Sequence, residues 1–288
     1  MNCFYLIDKP LNITSFDVIR KLRKTLNIRR IGHSWTLDPL ASWALLVALW
    51  NYTKLLPYIE KDSKEYEFTI NLDGTSDSYD LWTEVNYLEE EKQKSFKSKL
   101  AKSYINNILQ EKFTWKISQT PPKYSAIKIW WKKALEKVRK WEDFEMKSRE
   151  VTIHSIDILD FSYPELKLRA KVSAWTYIRS IAFSLWDLLG TWWYISHLRR
   201  TKVWDLDLSL SQKLENFSEE DTLNIKKLFP EENFISLGKA DLEKIDNGLT
   251  ISWDFDYKIW EDLFILNNGY ITNIVSYDWN TLKPIRKI

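Results

Sequence analysis

The segment GHSWTLDPL, residues 32–40, combines a histidine, a tryptophan and an aspartate that is followed by proline. Pro39 fixes its own backbone φ, which stiffens the chain next to Asp38. An aspartate before proline is a common start of a helix, so Asp38 could cap a helix that begins near Pro39. The alternative is a nucleophile or base held on a rigid loop, with His33 five residues before it.

The sequence around this segment predicts an N-terminal mixture of strands and helices. Residues 4–8 (FYLID) and the alternating residues 64–72 (KEYEFTINL) are typical of strands. Residues 14–26 predict a helix with Thr14 and Ser15 as candidate N-caps. The apolar run ALLVALWNYTKLL, residues 44–56, is interpreted as a largely buried helix.

The rest of the chain continues the same mixture without a regular strand–helix–strand period. An amphipathic helix is predicted at 95–113, and a second helix ends at Gly190. Strands are predicted at residues 149–161, 165–174 and 194–203. We therefore expect an α+β fold with a mixed or antiparallel sheet over residues 1–230, and a small β domain over 231–288.

The charge pattern permits a nucleic-acid partner but does not require one. The 288 residues carry a net charge of only +2. Basic residues nevertheless cluster in three places, which could form one positive face: Arg20, Lys21, Arg23, Lys24, Arg29 and Arg30; Lys128, Lys132, Lys133, Lys137, Arg139 and Lys140; and Arg199, Arg200 and Lys202. The alternative is a set of solvated helix surfaces.

Cysteine and histidine usage makes a metal centre or a disulfide unexpected. Cys3 is the only cysteine, and the three histidines stand at unrelated positions, so we expect no zinc site and a reducing, cytoplasmic compartment. No long apolar run predicts export or membrane insertion. The loop DGTSDSYD contains Asp73, Asp77 and Asp80, but their spacing fits no calcium loop.

Two further polar positions stand inside apolar elements. Tyr66 lies on the alternating strand and is either a plain core tyrosine or a site residue. Tyr177 and Arg179 stand at a predicted turn into a helix. Arg179 is either a surface charge of that helix or the partner of a carboxylate in a cleft.

Six segments of the chain, taken in order, resemble the successive motifs of the bacterial tRNA pseudouridine-55 synthases, the TruB family. They are IDKPLNITS, GHSWTLDPLASW, KEYEF, QTPPKYSAIK, WTYIRS and YISHLRR. The resemblance runs from about Asp8 to Lys202 and resumes weakly at LKPIRKI, where the family usually ends in a small PUA-like domain. It implies a pseudouridine synthase catalytic domain followed by a PUA-like β domain.

The resemblance also implies roles for the central site residues. Asp38 corresponds to the essential catalytic carboxylate, and Arg179 of the TYIR motif is a candidate ion-pair partner for it. Tyr66 is expected to pack against the flipped base and to help move the C5 proton. His33 is placed to assist extrusion of the nucleotide.

Four supporting residues follow from the same motifs. Leu198 is expected to line the uracil pocket, and Tyr177, two residues before Arg179 in the TYIR motif, is expected to bind the substrate. Lys9 and Pro10 belong to the first motif, which supports the active-site loop.

The resemblance implies that the protein isomerises uridine 55 in the T-arm stem-loop of tRNA to pseudouridine. We expect it to act as a monomer and to need no cofactor and no metal. Nothing is added to or lost from the nucleotide, and the target base must be flipped out of its stack. Two alternatives stay open: a catalytically silent protein that binds or folds tRNA on the same scaffold, and the same chemistry on another RNA.

Tryptophan is unusually frequent, and its positions follow the family's glycines. The chain has 16 tryptophans and 6 glycines. Together they make up a fraction of the 288 residues that is close to the usual share of glycine alone, about 7%. The family favours glycine where this chain has Trp35, Trp43, Trp50, Trp131, Trp141, Trp175, Trp186 and Trp204, and small residues at Trp192 and Trp193. We therefore predict that most or all of the tryptophans are UGA codons that the source organism reads as glycine. The alternatives are an aromatic surface that stacks on RNA and a tryptophan-rich core.

Overall fold

Strands of a large mixed sheet form most of the protein, and a second, smaller sheet follows in the C-terminal part. The computed structural model describes residues 2–59, 63–122, 124–125, 127–129, 132–140, 142, 144–204, 206–254 and 262–288. The helices are α1 (Ser15–Leu26), α2 (Glu90–Lys99), α3 (Lys102–Lys112), α4 (Ala134–Arg139), α5 (Ile178–Leu189) and α6 (Lys239–Asp246). The strands are β1 (Phe4–Lys9), β2 (Ile31–Ser34), β3 (Ala41–Leu49), β4 (Ser63–Asn71), β5 (Gly74–Thr75), β6 (Asn86–Tyr87), β7 (Trp115–Gln119), β8 (Lys128–Ile129), β9 (Lys132–Lys133), β10 (Arg149–Ser162), β11 (Glu165–Ser173), β12 (Tyr194–Val203), β13 (Leu206–Asp207), β14 (Gln212–Lys213), β15 (Phe234–Ile235), β16 (Ile251–Ser252), β17 (Asp262–Asn267), β18 (Tyr270–Asp278) and β19 (Thr281–Lys287).

The large sheet has ten strands and mixes parallel and antiparallel pairs. Its order is β14-β1-β3-β12-β4-β11-β10-β7, with β2 on β3 and β13 on β12. The pairs β1–β14 and β3–β12 are parallel, and the others are antiparallel. The predicted α+β fold with a mixed sheet is confirmed.

The helix predicted at residues 44–56 is wrong, because this segment forms β3 and a short 3₁₀ turn after it. All nine residues of β3 are buried. Ala44, Leu46 and Ala48 face one hydrophobic cluster, while Leu45 and Val47 face another. A strand that is covered on both faces shows no alternation of polar and apolar residues, so its sequence cannot be told from a buried helix.

Helix ends are placed largely where the sequence predicts them. Thr14 caps α1 through a capping box with Asp17, and Gly190 ends α5 with a φ of 66°. The single helix predicted at 95–113 is two helices, α2 and α3. Within the described ranges, no helix has both the length and the apolar character needed to cross a bilayer.

The second sheet has five strands in the order β15-β17-β18-β19-β16 and has its own small hydrophobic cluster. It is also joined to the large sheet by a shared cluster, in which Phe229 and Phe264 pack with their ring centroids 4.4 Å apart. The buried Tyr52 hydroxyl accepts a hydrogen bond from the backbone N–H of Ile271, with an N–O distance of 3.1 Å. The two sheets therefore share one hydrophobic cluster at their junction.

Seven of the described tryptophans have a positive backbone φ, between 42° and 152°. They are Trp35, Trp43, Trp50, Trp115, Trp175, Trp204 and Trp279. A bulky residue held in this region costs about 1–3 kcal/mol. Seven such residues together reach the whole free energy of unfolding of an ordinary domain, about 5–15 kcal/mol.

Because Tyr52 joins the two sheets, we predict that Tyr52→Phe lowers the free energy of unfolding by about 1–3 kcal/mol, since the Ile271 N–H is left buried without an acceptor. Urea unfolding followed by circular dichroism measures this change. The control Tyr104→Phe, on the exposed face of α3, is expected to leave stability unchanged. Equal stability of Tyr52→Phe and the parent would show that this hydrogen bond between the sheets does not stabilise the fold.

Candidate active site

The loop of residues 35–40 joins β2 to β3 and is fixed by α1 and β1. The Ser15 hydroxyl, at the start of α1, accepts from the Leu37 N–H at 3.0 Å. The buried Lys9 ammonium, at the end of β1, donates to the Pro39 carbonyl at 3.1 Å. The interpretation of Asp38 as a helix cap is wrong, because the chain after Pro39 enters a strand and not a helix.

Lys9 also holds the segment that follows β1 through hydrogen bonds to its backbone. Its Nζ also donates to the carbonyls of Pro10 and Ile13, at 2.9 and 2.8 Å. Lys9 therefore links the first motif to the loop that carries Asp38. Burial lowers the pKa of Lys9 from 10.5 to about 8, against the opposing effect of the nearby carboxylates, Asp38 first among them.

Asp38 and Arg179 form the ion pair that the sequence predicts. Arg179 Nη2 lies 2.9 Å from Asp38 Oδ2. The Arg179 side chain is 5% exposed, whereas that of Asp38 is 36% exposed. Arg179 also donates to the carbonyls of Ser78 and Tyr124, at 3.1 and 2.9 Å. A buried guanidinium with fixed acceptors thus presents a carboxylate that solvent and a ligand can reach.

Asp80 is a second carboxylate at Arg179, which the sequence did not indicate. Its Oδ2 lies 3.9 Å from Arg179 Nη1. The Ser78 hydroxyl and the Trp82 N–H donate to Asp80 Oδ1, at 2.6 and 2.9 Å. Burial raises the pKa of Asp80, and the Ser78 hydrogen bond and the Arg179 charge oppose this. Among the described residues, no three His, Cys, Asp or Glu side chains converge on a possible metal position.

Gln119, at the end of β7, holds the start of α5. Its side-chain amide accepts from the Tyr177 N–H at 2.8 Å and donates to the Tyr177 carbonyl at 3.1 Å. The Ser180 hydroxyl donates to the Thr120 carbonyl at 2.8 Å. These bonds set the position of Arg179 in the first turn of α5. The sequence placed Gln119 within a motif but gave no sign of this contact.

Tyr66 and Leu198 lie on the neighbouring central strands β4 and β12. Tyr66 is opposite Arg200 in the ladder, and Leu198 is opposite Ala41 at the short parallel contact of β12 with β3. Burial raises the pKa of the Tyr66 hydroxyl, and the Arg200 guanidinium opposes this. Arg200 is fully buried and donates to the Trp35 carbonyl at 2.9 Å. Its assignment to a basic surface is therefore wrong.

A cavity of about 340 Å³ opens beside Asp38. It brings together four of the predicted site residues, namely Asp38, Tyr66, Tyr177 and Leu198. Arg179 reaches the cavity through its ion pair with Asp38. Lys9, Pro10 and His33 do not line it.

His33 lies on β2, near one side of the loop. Its Nε2 is 3.2 Å from the Thr36 hydroxyl. Burial lowers the pKa of His33 below its ordinary value near 6.5, so the imidazole is neutral at pH 7. A neutral imidazole can act as a hydrogen-bond donor or acceptor, but not as a fixed charge.

Part of the first predicted basic cluster lies on α1. The Arg20 and Arg23 guanidinium carbons each lie 5.6 Å from the centroid of the half-exposed Phe16 ring. Cations beside an exposed ring suit contacts with a phosphate backbone and with bases. The predicted second basic cluster falls mostly on side chains outside the described part: Lys128, Lys132, Lys133 and Arg139.

Comparison with known proteins identifies the class to which this fold and site belong. Residues 23–178 match the TruB family pseudouridylate synthase (N terminal domain). The chain is 34% identical to a tRNA pseudouridine synthase B of Clostridium tetani, over 82% of this chain and 78% of that protein. It is 30% identical to one of Aquifex aeolicus, over 92% of this chain and 93% of that protein. This chain belongs to the TruB family of pseudouridylate synthases.

Solved structures agree on the fold. A Cbf5-Nop10-Gar1 complex contains a chain of 19% identity with a TM-score of 0.68, over 99% of this chain and 84% of that one. An H/ACA RNP bound to a substrate RNA that contains 2′-deoxyuridine contains a chain of 17% identity with a TM-score of 0.67, over 99% and 84%. The expected fold is confirmed: a pseudouridine synthase sheet followed by a β sheet consistent with a PUA-like domain.

We predict that Arg179→Lys lowers the rate of product formation by about 100-fold or more, because one ammonium cannot hold Asp38, Asp80 and two carbonyls in a fixed geometry. Single-turnover kinetics on tRNA transcript measures the rate, and filter binding measures affinity, which should stay within about twofold. The control is Arg169→Lys, which alters an exposed ion pair with Glu67. A parental rate in Arg179→Lys would show that the guanidinium geometry is dispensable.

The lowered pKa of Lys9 gives a pH-dependent stability. Between about pH 8 and 10.5 the folded Lys9 binds fewer protons than the unfolded one, so its contribution to the free energy of unfolding rises with pH. We predict that the stability difference between the parent and Lys9→Met shifts in favour of the parent across this window. Urea unfolding of both proteins at pH 7.5 and pH 9.5 tests it.

Parallel pH curves for the two proteins would contradict this prediction. Three carbonyls accept hydrogen bonds from Lys9 Nζ, and only the ammonium form has three N–H donors. Parallel curves would therefore mean that these hydrogen bonds outweigh burial and keep Lys9 charged.

Proposed function

We propose that this protein converts uridine 55 in the T-arm of tRNA to pseudouridine, with Asp38 as the essential carboxylate. The observation that carries the proposal is the asymmetry of the Asp38–Arg179 pair. The cation is buried and fixed, while the anion is partly exposed and lines a cavity with Tyr66 and Leu198. The tRNA substrate is supported by the relatives, which bear the name tRNA pseudouridine synthase B.

The chemistry requires one bond to break and one to form. The bond from ribose C1′ to uracil N1 breaks, the base turns, and a bond from C1′ to C5 replaces it. The proton on C5 is lost, and N1 gains one, so the atoms balance without a cofactor. Asp38 acts as nucleophile, or stabilises the charge, at the sugar or the base.

The other cavity residues hold the base while it turns. Tyr66 stacks against the flipped uracil, and burial raises the pKa of its hydroxyl. Leu198 packs against an edge of the base, and Tyr177 contacts the nucleotide from the start of α5. His33, outside the cavity, assists extrusion. Arg179 holds Asp38 in place and balances its charge.

Binding must compensate for extracting the base, which costs a few kcal/mol in unstacking. Basic side chains such as Arg20 and Arg23 on α1 supply backbone contacts that weaken with salt. We also propose that the protein acts as a monomer. We propose that it works in the cytoplasm, because its single, buried cysteine suits a reducing compartment.

We further propose two domains, a catalytic domain over residues 1–230 and a PUA-like domain over 231–288. The division is supported by the separate five-stranded sheet, whose first strand begins at Phe234, and by its own small core. The shared cluster around Phe229 makes the two domains one packed unit.

We predict that Asp38→Asn abolishes pseudouridine formation and leaves tRNA affinity nearly unchanged, because the amide keeps the shape of the side chain but is neither nucleophile nor charge. Tritium release from C5-labelled tRNA measures turnover, and filter binding measures affinity. The matched control Asp157→Asn alters a carboxylate on β10 that is remote from the cavity.

The RNA used in the assay separates the remaining alternatives. Binding without tritium release by the parent protein would identify a catalytically silent tRNA-binding protein. Full activity on a transcript that lacks the T-arm, or modification at a position other than 55, would identify the same chemistry on another RNA site.

A further inference from the structure

The residues with positive φ divide into two chemical kinds. Among the described residues, twelve that are not glycine have a positive φ. Four are asparagines, which adopt this region readily because their short side chain bonds locally. Seven are tryptophans, and the remaining one is Tyr79. A bulky aromatic side chain has no such local compensation, so tryptophan should be rare in this group and instead dominates it.

The two buried members show that these side chains do not suit their surroundings. The indole Nε1 atoms of Trp35 and Trp43 are buried and have no hydrogen-bond acceptor. The Trp43 ring lies 4.6 Å from the Arg200 guanidinium carbon, in a fully buried strand position opposite Lys9. A buried indole N–H in a native protein normally finds a partner.

The same positions suit glycine. Glycine adopts positive φ without steric cost and brings no N–H group into the core. The three described glycines with positive φ, Gly190, Gly248 and Gly269, show this use in the same chain.

We propose that the functional protein contains glycine, not tryptophan, at positions 35, 43, 50, 115, 175, 204 and 279. Its gene is then read with a code in which UGA specifies glycine. The proposal rests on the backbone and is independent of the proposed reaction. Five other described tryptophans, Trp82, Trp186, Trp192, Trp193 and Trp253, are absent from the positive-φ group. Trp130, Trp131, Trp141 and Trp260 lie outside the described residues.

An aromatic surface that stacks on RNA does not account for these positions. Trp43 is fully buried in β3 and does not line the cavity, so its ring cannot reach a base from solvent. Stacking also sets no requirement for positive φ, whereas all seven positions share it.

Glycine in place of tryptophan changes the active site. Trp35 and Trp175 both line the cavity beside Asp38. Glycine at both positions removes two indole rings from its wall, and the cavity of about 340 Å³ becomes larger. A cavity near roughly 300 Å³ is at the lower end of the range for small-ligand sites. The extra space lies next to the carboxylate, where a flipped nucleotide must enter.

Four exposed tryptophans provide a matched test of the backbone argument. Trp115 and Trp279 have positive φ, whereas Trp82 and Trp192 do not, and all four side chains are exposed. We expect Trp115→Gly and Trp279→Gly each to raise Tm by about 2–4 °C. Trp82→Gly and Trp192→Gly should leave Tm unchanged or lower it, because glycine there only adds freedom to the unfolded chain.

Alanine separates side-chain bulk from backbone strain. Trp115→Ala and Trp279→Ala remove the ring but keep a Cβ at positive φ, so Tm should rise less than with glycine. Equal Tm values for the alanine and glycine variants would overturn the strain argument. At the cavity, Trp35→Gly/Trp175→Gly should increase tritium release more than Trp35→Ala/Trp175→Ala.

The decisive measurement is the amino-acid sequence of the protein isolated from the cells that encode it. This measurement does not depend on folding or activity in another host. Tandem mass spectrometry of its peptides should find glycine at all seven positions, and the gene should have UGA there. Tryptophan masses or UGG codons at these positions would overturn the proposal. Glycine at the seven positions in an inactive protein would leave this proposal standing and refute only the proposed function.

Discussion

The buried guanidinium of Arg179 is the interaction on which the site depends. Its burial is costly unless its charge and its donors are compensated. The Asp38 carboxylate and two backbone carbonyls lie within hydrogen-bond distance, and Asp80 adds a second negative charge at 3.9 Å. These acceptors come from distant parts of the chain, including the loop before β3, the segment at Ser78 and the segment at Tyr124. The Arg179 guanidinium therefore pairs with Asp38 and also holds the loops around Asp38 in place.

The central sheet sets the distances within the site. β3 and β12 pair over only two residues, Ala41 with Leu198 and Ser42 with Arg199, and then diverge. The cavity opens at this divergence, with Tyr66 on the next strand and α5 across it. The strands contribute Ala41, Tyr66 and Leu198 to the wall of the cavity, and the segments at 35–38 and 174–177 form much of the rest.

The sequence predicted elements that depend on local signals, and missed contacts that depend on the tertiary fold. Thr14 and Gly190 mark helix ends through local hydrogen bonding and backbone φ, so the sequence alone predicts both ends. The helix predicted in place of β3 is wrong because burial on both faces of the strand removes the alternation of polar and apolar residues. The motifs indicated the Asp38–Arg179 pair, but Asp80 and Gln119 act through partners about 60 to 100 residues away, which no local pattern encodes.

Position 35 has a consequence for the history of the gene. It is the first tryptophan of the chain and stands three residues before Asp38. In a cell that reads UGA as a stop, the proposed gene yields a peptide that ends at Ser34, with α1 but without the catalytic loop. The tight turn that the loop requires would thus also act as a genetic barrier: the gene could function only in cells that share its code.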